Sequence, residues 1–151
     1  MQIIDNDIFS CTEDVIVHQV NCQGVMGHGI AKQVKDMYYE VYEAYKLHCD
    51  MNDKKDLLGT VLYVDIGNKM IANIFGQFYY GKGLQTDYEA LRNGLTDVYH
   101  YAKKNNLSVA IPYKIGCGLA GGNWDVVYRI IESIFTDVST VLYKKERKES
   151  Y

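Results

Sequence analysis

The sequence lacks the features of disordered, exported and membrane-spanning chains. It has one proline among 151 residues, and 48% of its residues are hydrophobic while 23% are charged, a balance that excludes disorder and low complexity. No apolar run approaches the length that spans a bilayer, and residues 1–7 lack a basic segment followed by an apolar one. We therefore expect one soluble, cytoplasmic domain over residues 1–151 that makes no contact with membranes.

The sequence also lacks the motifs of several enzyme classes. It contains no GxxxxGKS/T, no GxGxxG followed by a ribose-binding acid, no GxSxG and no HExxH. These absences argue against P-loop hydrolysis of ATP, serine hydrolases and zinc proteases. The four cysteines are far apart and have no CxxC spacing, which predicts reduced thiols, no metal site and no cofactor; they are Cys11, Cys22, Cys49 and Cys117.

The charge of the chain gives no general attraction to polyanions. Its formal net charge is −3, so we expect no sequence-specific binding of nucleic acid. One dense basic run lies near the end of the chain, where glutamates interrupt it, as is typical of a solvated terminus. The run consists of Lys144, Lys145, Arg147 and Lys148.

Short apolar runs alternate with longer segments of helical period, which predicts an α/β domain. The runs at residues 14–20 and 108–113 are continuously apolar, as in strands covered on both faces. Further strands are predicted at residues 60–66 and 70–75, as a hairpin around Gly67-Asn68, and at 139–143. Helices are predicted at residues 30–46 with a break near 38–42, from a capping box at Thr86 and Glu89 to about Lys104, and after the N-cap Asn123.

Two segments share one design, in which a buried strand runs through several glycines into a helix. We call residues 21–29 the first loop and residues 116–122 the second loop. Glycines allow a positive φ and a close approach to a ligand, and the free N–H groups at the start of a helix attract anions. The pair predicts a phosphate or pyrophosphate ligand, and the alternative is two tight turns with a purely structural role.

The two loops resemble those of the macro domains, and the resemblance covers nearly the whole chain. It rests on Val20-Asn21, Gly24 and residues 26–31 around the first loop, and on residues 115–119 and Trp124 around the second. Residues 74–77 and 88–91 also fit the small branch of stand-alone phage and bacterial domains, ADP-ribose-1″-phosphate phosphatases and glutamate-directed ADP-ribosyl hydrolases. The resemblance implies a three-layer α/β/α fold with a mixed central sheet. It also implies ADP-ribose or its derivatives as ligands and ADP-ribosylated macromolecules as partners.

The resemblance assigns roles to individual positions. Asp7 matches the acid that accepts a hydrogen bond from the adenine amine, Asn21 matches the asparagine that faces the distal ribose, and Tyr143 flanks adenine. Backbone groups of the loops would hold the diphosphate: those of Gly27, Gly29 and Ile30 on one side and of Gly116, Gly118, Leu119 and Ala120 on the other. The further positions assigned to the ligand site are Ile8, Gly24, Met26, His28, Gln77 and Cys117.

For catalysis, His18 is predicted to transfer a proton while Asn21 orients the distal ribose. The alternative for His18 is a histidine hydrogen-bonded inside the core, and His28 in the first loop is the rival proton carrier. The lysine and aspartate of the glutamate-directed hydrolases are matched by Gln77 and Ala120, so their lysine-adduct chemistry is not expected. The expected activity is dephosphorylation of ADP-ribose-1″-phosphate. The alternatives are removal of ADP-ribose from protein or nucleic acid, and a reader module without turnover.

Overall fold

A mixed six-stranded sheet forms the centre of the computed structural model, which describes residues 1–145. The strands follow the spatial order β1-β6-β5-β2-β4-β3. They are β1 (Gln2–Ile4), β2 (Val15–Asn21), β3 (Val61–Asp65), β4 (Met70–Gln77), β5 (Val109–Pro112) and β6 (Thr140–Tyr143). Only β3 pairs antiparallel, as the hairpin partner of β4. The carboxyl ends of the other five strands therefore meet at one edge of the sheet.

Helices cover both faces of this sheet. They are α1 (Gly29–Met37), α2 (Tyr39–Met51), α3 (Lys54–Leu57), α4 (Tyr88–Asn105) and α5 (Trp124–Ile134), with a short 3-10 helix at Ile8–Ser10. Within the described residues, no helix is both long and apolar enough to cross a membrane. The basic residues Arg147 and Lys148 lie outside the described part of the chain.

The core has one half on each side of β2. Ile16 and Val20 pack in the cluster that contains Tyr45 of α2, whereas Val15 and Val17 pack in the cluster that contains Leu95 of α4. Because both faces of β2 are covered, its first three residues are all apolar rather than apolar at alternate positions. This arrangement confirms the predicted three-layer α/β/α fold with a mixed sheet.

The predicted capping box at the start of α4 is wrong. The N-cap is Asp87, whose carboxylate accepts a hydrogen bond from the Ala90 N–H at 3.0 Å. Thr86 forms an isolated bridge with Gln77 instead, and its hydroxyl donates to the Gly116 carbonyl at 2.6 Å. The threonine is therefore used to connect two loops, and the helix begins one residue later than expected. The predicted break between α1 and α2 is confirmed at Tyr38.

Candidate functional site

A cavity of about 800 Å³ opens at the carboxyl edge of the sheet. Residues of the first loop and of the second loop both line it. Its volume lies within the range of pockets that hold small organic ligands. The two segments of strand, glycines and helix thus share one cavity, as the resemblance to macro domains implies.

The sheet order fixes the sequence of side chains along this cavity. Asp7 lies beyond β1, Tyr143 ends β6, Lys114 follows β5, Asn21 ends β2 and Gln77 ends β4, and all five line the cavity. Neighbouring strands lie about 4.8 Å apart, so this row of strand ends extends over about 19 Å. The site is therefore elongated, with a carboxylate at one end and side-chain amides at the other.

The first loop presents the start of a helix to the cavity. Gly27, His28, Gly29 and Ile30 line it, and α1 begins at Gly29 with His28 as its N-cap. The His28 side chain makes no capping hydrogen bond, so it leaves the N–H groups of the first turn to other partners. Such N–H groups are suited to an anion.

The second loop is held in a tight, defined shape. The Gly122 N–H donates to the Gly116 carbonyl at 2.9 Å, and a Cβ on Gly122 would lie only 2.5 Å from that oxygen. Gly116 has a φ of +73°, which favours glycine. The Ala120 carbonyl accepts from the N–H groups of Gln85 and Thr86 at 2.8 and 3.2 Å. The second loop is therefore fixed on both sides, and it carries three residues that line the cavity, Gly118, Leu119 and Ala120.

Asn21 organises the first loop and also lines the cavity. Its Nδ2 donates to the Val25 carbonyl at 2.8 Å, and its Oδ1 accepts from the Gln23 N–H and from the Tyr45 hydroxyl, both at 2.9 Å. Tyr45 is buried, and desolvation raises the pKa of its phenol, so the hydroxyl keeps its proton and donates. One Nδ2–H of Asn21 is not used by Val25, and an amide group has two such donors.

Asp7 and Tyr143 form the opposite end of the cavity. The Asp7 carboxylate accepts a hydrogen bond from the Phe9 N–H at 3.0 Å and forms an ion pair with the Lys145 Nζ at 3.2 Å. A carboxylate has further lone pairs for a ligand donor. The Tyr143 hydroxyl donates to the Glu13 carboxylate. Desolvation, together with Glu13, raises the pKa of Tyr143 to about 12. Ile8, which is buried, adds an apolar side chain to this end of the cavity.

A hydrogen-bonded network that the sequence does not reveal supports the amide end. Gln19 Nε2 donates to Gln77 Oε1 and to Thr86 Oγ1, both at 2.9 Å. Gln77 Nε2 donates in turn to the Tyr79 carbonyl at 2.8 Å. Gln19 Oε1 is buried with no partner among the described residues, and Gln19 lines the cavity. This network fixes the side chain of Gln77, the residue that the resemblance matches to the lysine of the glutamate-directed hydrolases.

His18 is not at the cavity, which corrects its predicted role in proton transfer. It lies in the middle of β2, is 1% exposed, and its Nε2 is 2.5 Å from Asn73 Oδ1. Asn73 Nδ2 donates to the Leu62 carbonyl at 2.9 Å, which turns Oδ1 toward the imidazole. Burial lowers the pKa of His18 to about 4, and the hydrogen bond that its Nε2–H donates to Asn73 Oδ1 opposes this by raising the pKa. His18 is therefore a neutral core histidine, the alternative given above.

Three further predicted ligand residues do not line the cavity. Gly24 has a φ of +82°, and a Cβ there would lie 3.3 Å from Cδ of Lys46, so this glycine allows the first loop to pack on α2. Met26 is buried in the core. Cys117 packs against the core cluster under α4 and α5, and burial raises the pKa of its thiol to about 11.

Several residues that line the cavity were not predicted from the sequence. They are Asn6, Gln19, Val20, Val25, Ala31, Gln33, Tyr80, Gly81, Pro112, Tyr113, Lys114, Lys144 and Lys145. Lys144 and Lys145 belong to the basic run that was expected to be a solvated terminus. The sequence signal for them is their place directly after β6, because the carboxyl ends of parallel strands border such a site.

The mixed sheet and the two glycine loops that face each other across its carboxyl edge define the architecture of a macro domain. The chain belongs to this family, since the family model described as Macro domain matches residues 17–131. The match confirms the family that the residues of the two loops predicted.

Several relatives of this chain carry the names of hydrolases. The DNA ADP-ribosyl glycohydrolase of Mycobacterium tuberculosis is 32% identical over 145 residues, which are 91% of this chain and 40% of that protein. The bovine ADP-ribose glycohydrolase OARD1 is 28% identical over 147 residues, which are 93% of this chain and 88% of that protein. The solved macrodomain of Mycobacterium tuberculosis DarG matches with a TM-score of 0.83 at 29% identity, covering 96% of this chain and 97% of that one. This chain thus spans 40% of the length of the mycobacterial glycohydrolase.

Proposed function

We propose that this macro domain binds ADP-ribose and hydrolyses a bond at the anomeric carbon of the distal ribose. The observation that carries the proposal is that both glycine loops line one cavity, with Asp7 beyond β1 and Asn21 at the end of β2 among its other residues. The names of the mycobacterial and bovine relatives support hydrolysis of an ADP-ribosyl compound.

The order of residues along the cavity suits the parts of ADP-ribose. Adenine would lie beside Ile8 and Tyr143, with its amine donating to the Asp7 carboxylate. The diphosphate would lie between the backbone of residues 27–30 and that of residues 116–120. Neutral N–H groups and a helix start can hold a dianion in a chain whose net charge is −3. The distal ribose would then reach Asn21 and Gln77.

His28 is the residue suited to proton transfer. It is the one histidine that lines the cavity, since the other three in the sequence do not, and all four lie among the described residues. An imidazole exchanges a proton at neutral pH. In the proposed reaction, water supplies the hydroxyl that replaces the leaving group. His28 transfers the proton of that water to the leaving group, and Asn21 orients the ribose.

ADP-ribose-1″-phosphate is the smallest substrate of this kind, and its hydrolysis releases phosphate. A specific observation favours a larger leaving group as the second candidate. Val25, Tyr80 and Leu119 line the cavity at its amide end and are still 37%, 42% and 51% exposed. Phe78 and Tyr79 are exposed beside them. An exposed apolar rim is typical of a surface that contacts a partner, here the molecule from which ADP-ribose would be removed.

The experiment offers ADP-ribose-1″-phosphate, an ADP-ribosylated peptide and an ADP-ribosylated oligonucleotide to the parent protein. We expect turnover of at least one, and a loss of about a hundredfold in His28→Gln, within the range for removing a general acid or base. Binding of ADP-ribose should change little in that variant. His100→Gln, on exposed α4 surface, is the matched control. A parent that binds ADP-ribose and turns over none of these would be a reader module.

A further inference from the structure

Three lysines border the cavity at its adenosine side. Lys114 follows β5, Lys144 and Lys145 follow β6, and all three are exposed. Among residues 1–145, the acidic side chains that line the cavity are limited to that of Asp7. The cavity mouth is therefore cationic in a protein whose net charge is −3.

The positions of Lys114 and Lys144 are set by the aromatic ring of Tyr113. Their Nζ atoms lie 5.8 and 5.0 Å from the centroid of that ring, within the range of cation–π attraction. The ring itself packs on Trp124 at a centroid distance of 4.9 Å. Lys114 also has a φ of +62°, a left-handed conformation that is costly for a residue with a Cβ and that is often found at ligand sites.

The two ammonium groups have no carboxylate partner in the described structure. Lys145 pairs with Asp7 at 3.2 Å, whereas neither Lys114 nor Lys144 forms an ion pair within residues 1–145. Two exposed ammonium groups without a carboxylate partner that line one cavity are available to an anionic group of the ligand.

The sheet order indicates which part of the ligand these lysines face. The ends of β6 and β5 lie between Asp7 beyond β1 and the first loop beyond β2, and the second loop begins two residues after Lys114. With adenine at Asp7 and the diphosphate at the loops, the group opposite Lys114 and Lys144 is the adenosine ribose. Its hydroxyls are neutral and need no ammonium groups, while the diphosphate is already provided with backbone donors.

We propose that the site accepts an additional phosphate monoester on the adenosine ribose, so that its preferred ligands include ADP-ribose phosphorylated at the 2′ or 3′ hydroxyl. This inference rests on the proposed binding of ADP-ribose. Lys114 and Lys144 would bind the additional phosphate, and the loops would bind the diphosphate as before.

The test compares three ligands by calorimetry at one salt concentration: ADP-ribose, its 2′-phosphate and its 3′-phosphate. We expect at least one phosphorylated form to bind the parent at least about tenfold more tightly than ADP-ribose. The double variant Lys114→Gln with Lys144→Gln should lose that preference and keep its affinity for ADP-ribose within about threefold. Lys55→Gln with Lys104→Gln removes the same charge at exposed positions that do not line the cavity, and it should keep the preference.

Each other outcome overturns the inference in a recognisable way. If both phosphorylated forms bind the parent no more tightly than ADP-ribose, the adenosine side has no phosphate site. If the double variant weakens all three ligands equally, the lysines serve the diphosphate or the general field of the cavity. If ADP-ribose itself does not bind the parent, the proposed function has failed, and this inference fails with it.

Discussion

Replacing Gly118 with glutamate should abolish ADP-ribose binding and leave the fold intact. A Cβ at Gly118 meets no atom within 4 Å, and the residue is exposed and has no left-handed φ, so a side chain is tolerated. Exposed substitutions of this kind change stability by about 0.5 kcal/mol or less. The new carboxylate would enter the space assigned to the diphosphate. Two unit charges about 5 Å apart at an effective dielectric of about 20 repel by about 3 kcal/mol, which weakens affinity by more than about a hundredfold.

Calorimetry with ADP-ribose measures the loss, and thermal unfolding shows that the variant is folded. We expect a melting temperature within about 2 °C of the parent. Gly118→Gln is the matched control, because it adds nearly the same volume without the charge, and its affinity should fall less than that of Gly118→Glu. A Gly118→Glu variant that binds ADP-ribose as tightly as the parent would refute the contact between the second loop and phosphate.

Two further predictions concern His18 in the core and Thr86 beside the second loop. His18→Gln should remove a pH dependence of the free energy of unfolding. The pKa of His18 is about 4 in the fold against 6.5 when exposed, so the unfolded chain binds a proton at this position first as the pH falls. The parent should therefore lose about 3 kcal/mol of stability between pH 6.5 and pH 4, and none of this loss occurs above pH 6.5. Urea unfolding of the parent and the variant between pH 6.5 and pH 4 measures this loss. The same change in the free energy of unfolding with pH in both proteins would contradict the prediction. Thr86→Val should remove one hydrogen bond from the Gly116 carbonyl, which keeps Gly122, and one from Gln19, which keeps Gln77, lowering stability by about 1 kcal/mol and weakening ADP-ribose binding. Thr86→Ser should restore both in thermal unfolding and calorimetry, and unchanged binding in Thr86→Val would exclude this support of the second loop.

The fold could be predicted from the sequence where one local pattern decides the structure. A strand covered on both faces carries apolar residues in succession, as β2 does at Val15, Ile16 and Val17. Asn123 caps α5 with a side chain that accepts from the N–H groups of Asp125 and Val126. The two glycine loops were predictable for the same reason, since strand, glycines and helix are adjacent in the chain.

The parts of the site that depend on distant partners could not be predicted in this way. The partner of His18 is Asn73, 55 residues away, and an apolar strand does not show which of its faces a polar side chain takes. The partner of Thr86 is Gly116, 30 residues away, so the local capping pattern was misleading. Lys114 adopts a left-handed backbone, which its residue type does not indicate.

The central claim, that the cavity between the two loops binds ADP-ribose, is tested most directly by titrating the parent protein with ADP-ribose in a calorimeter and measuring its melting temperature with the same ligand. We predict one molecule bound per chain and a rise in melting temperature, because a ligand at about 100 times its Kd stabilises the fold by about 2.7 kcal/mol when it binds only the folded state. The absence of both heat and thermal shift at millimolar ADP-ribose would contradict the claim.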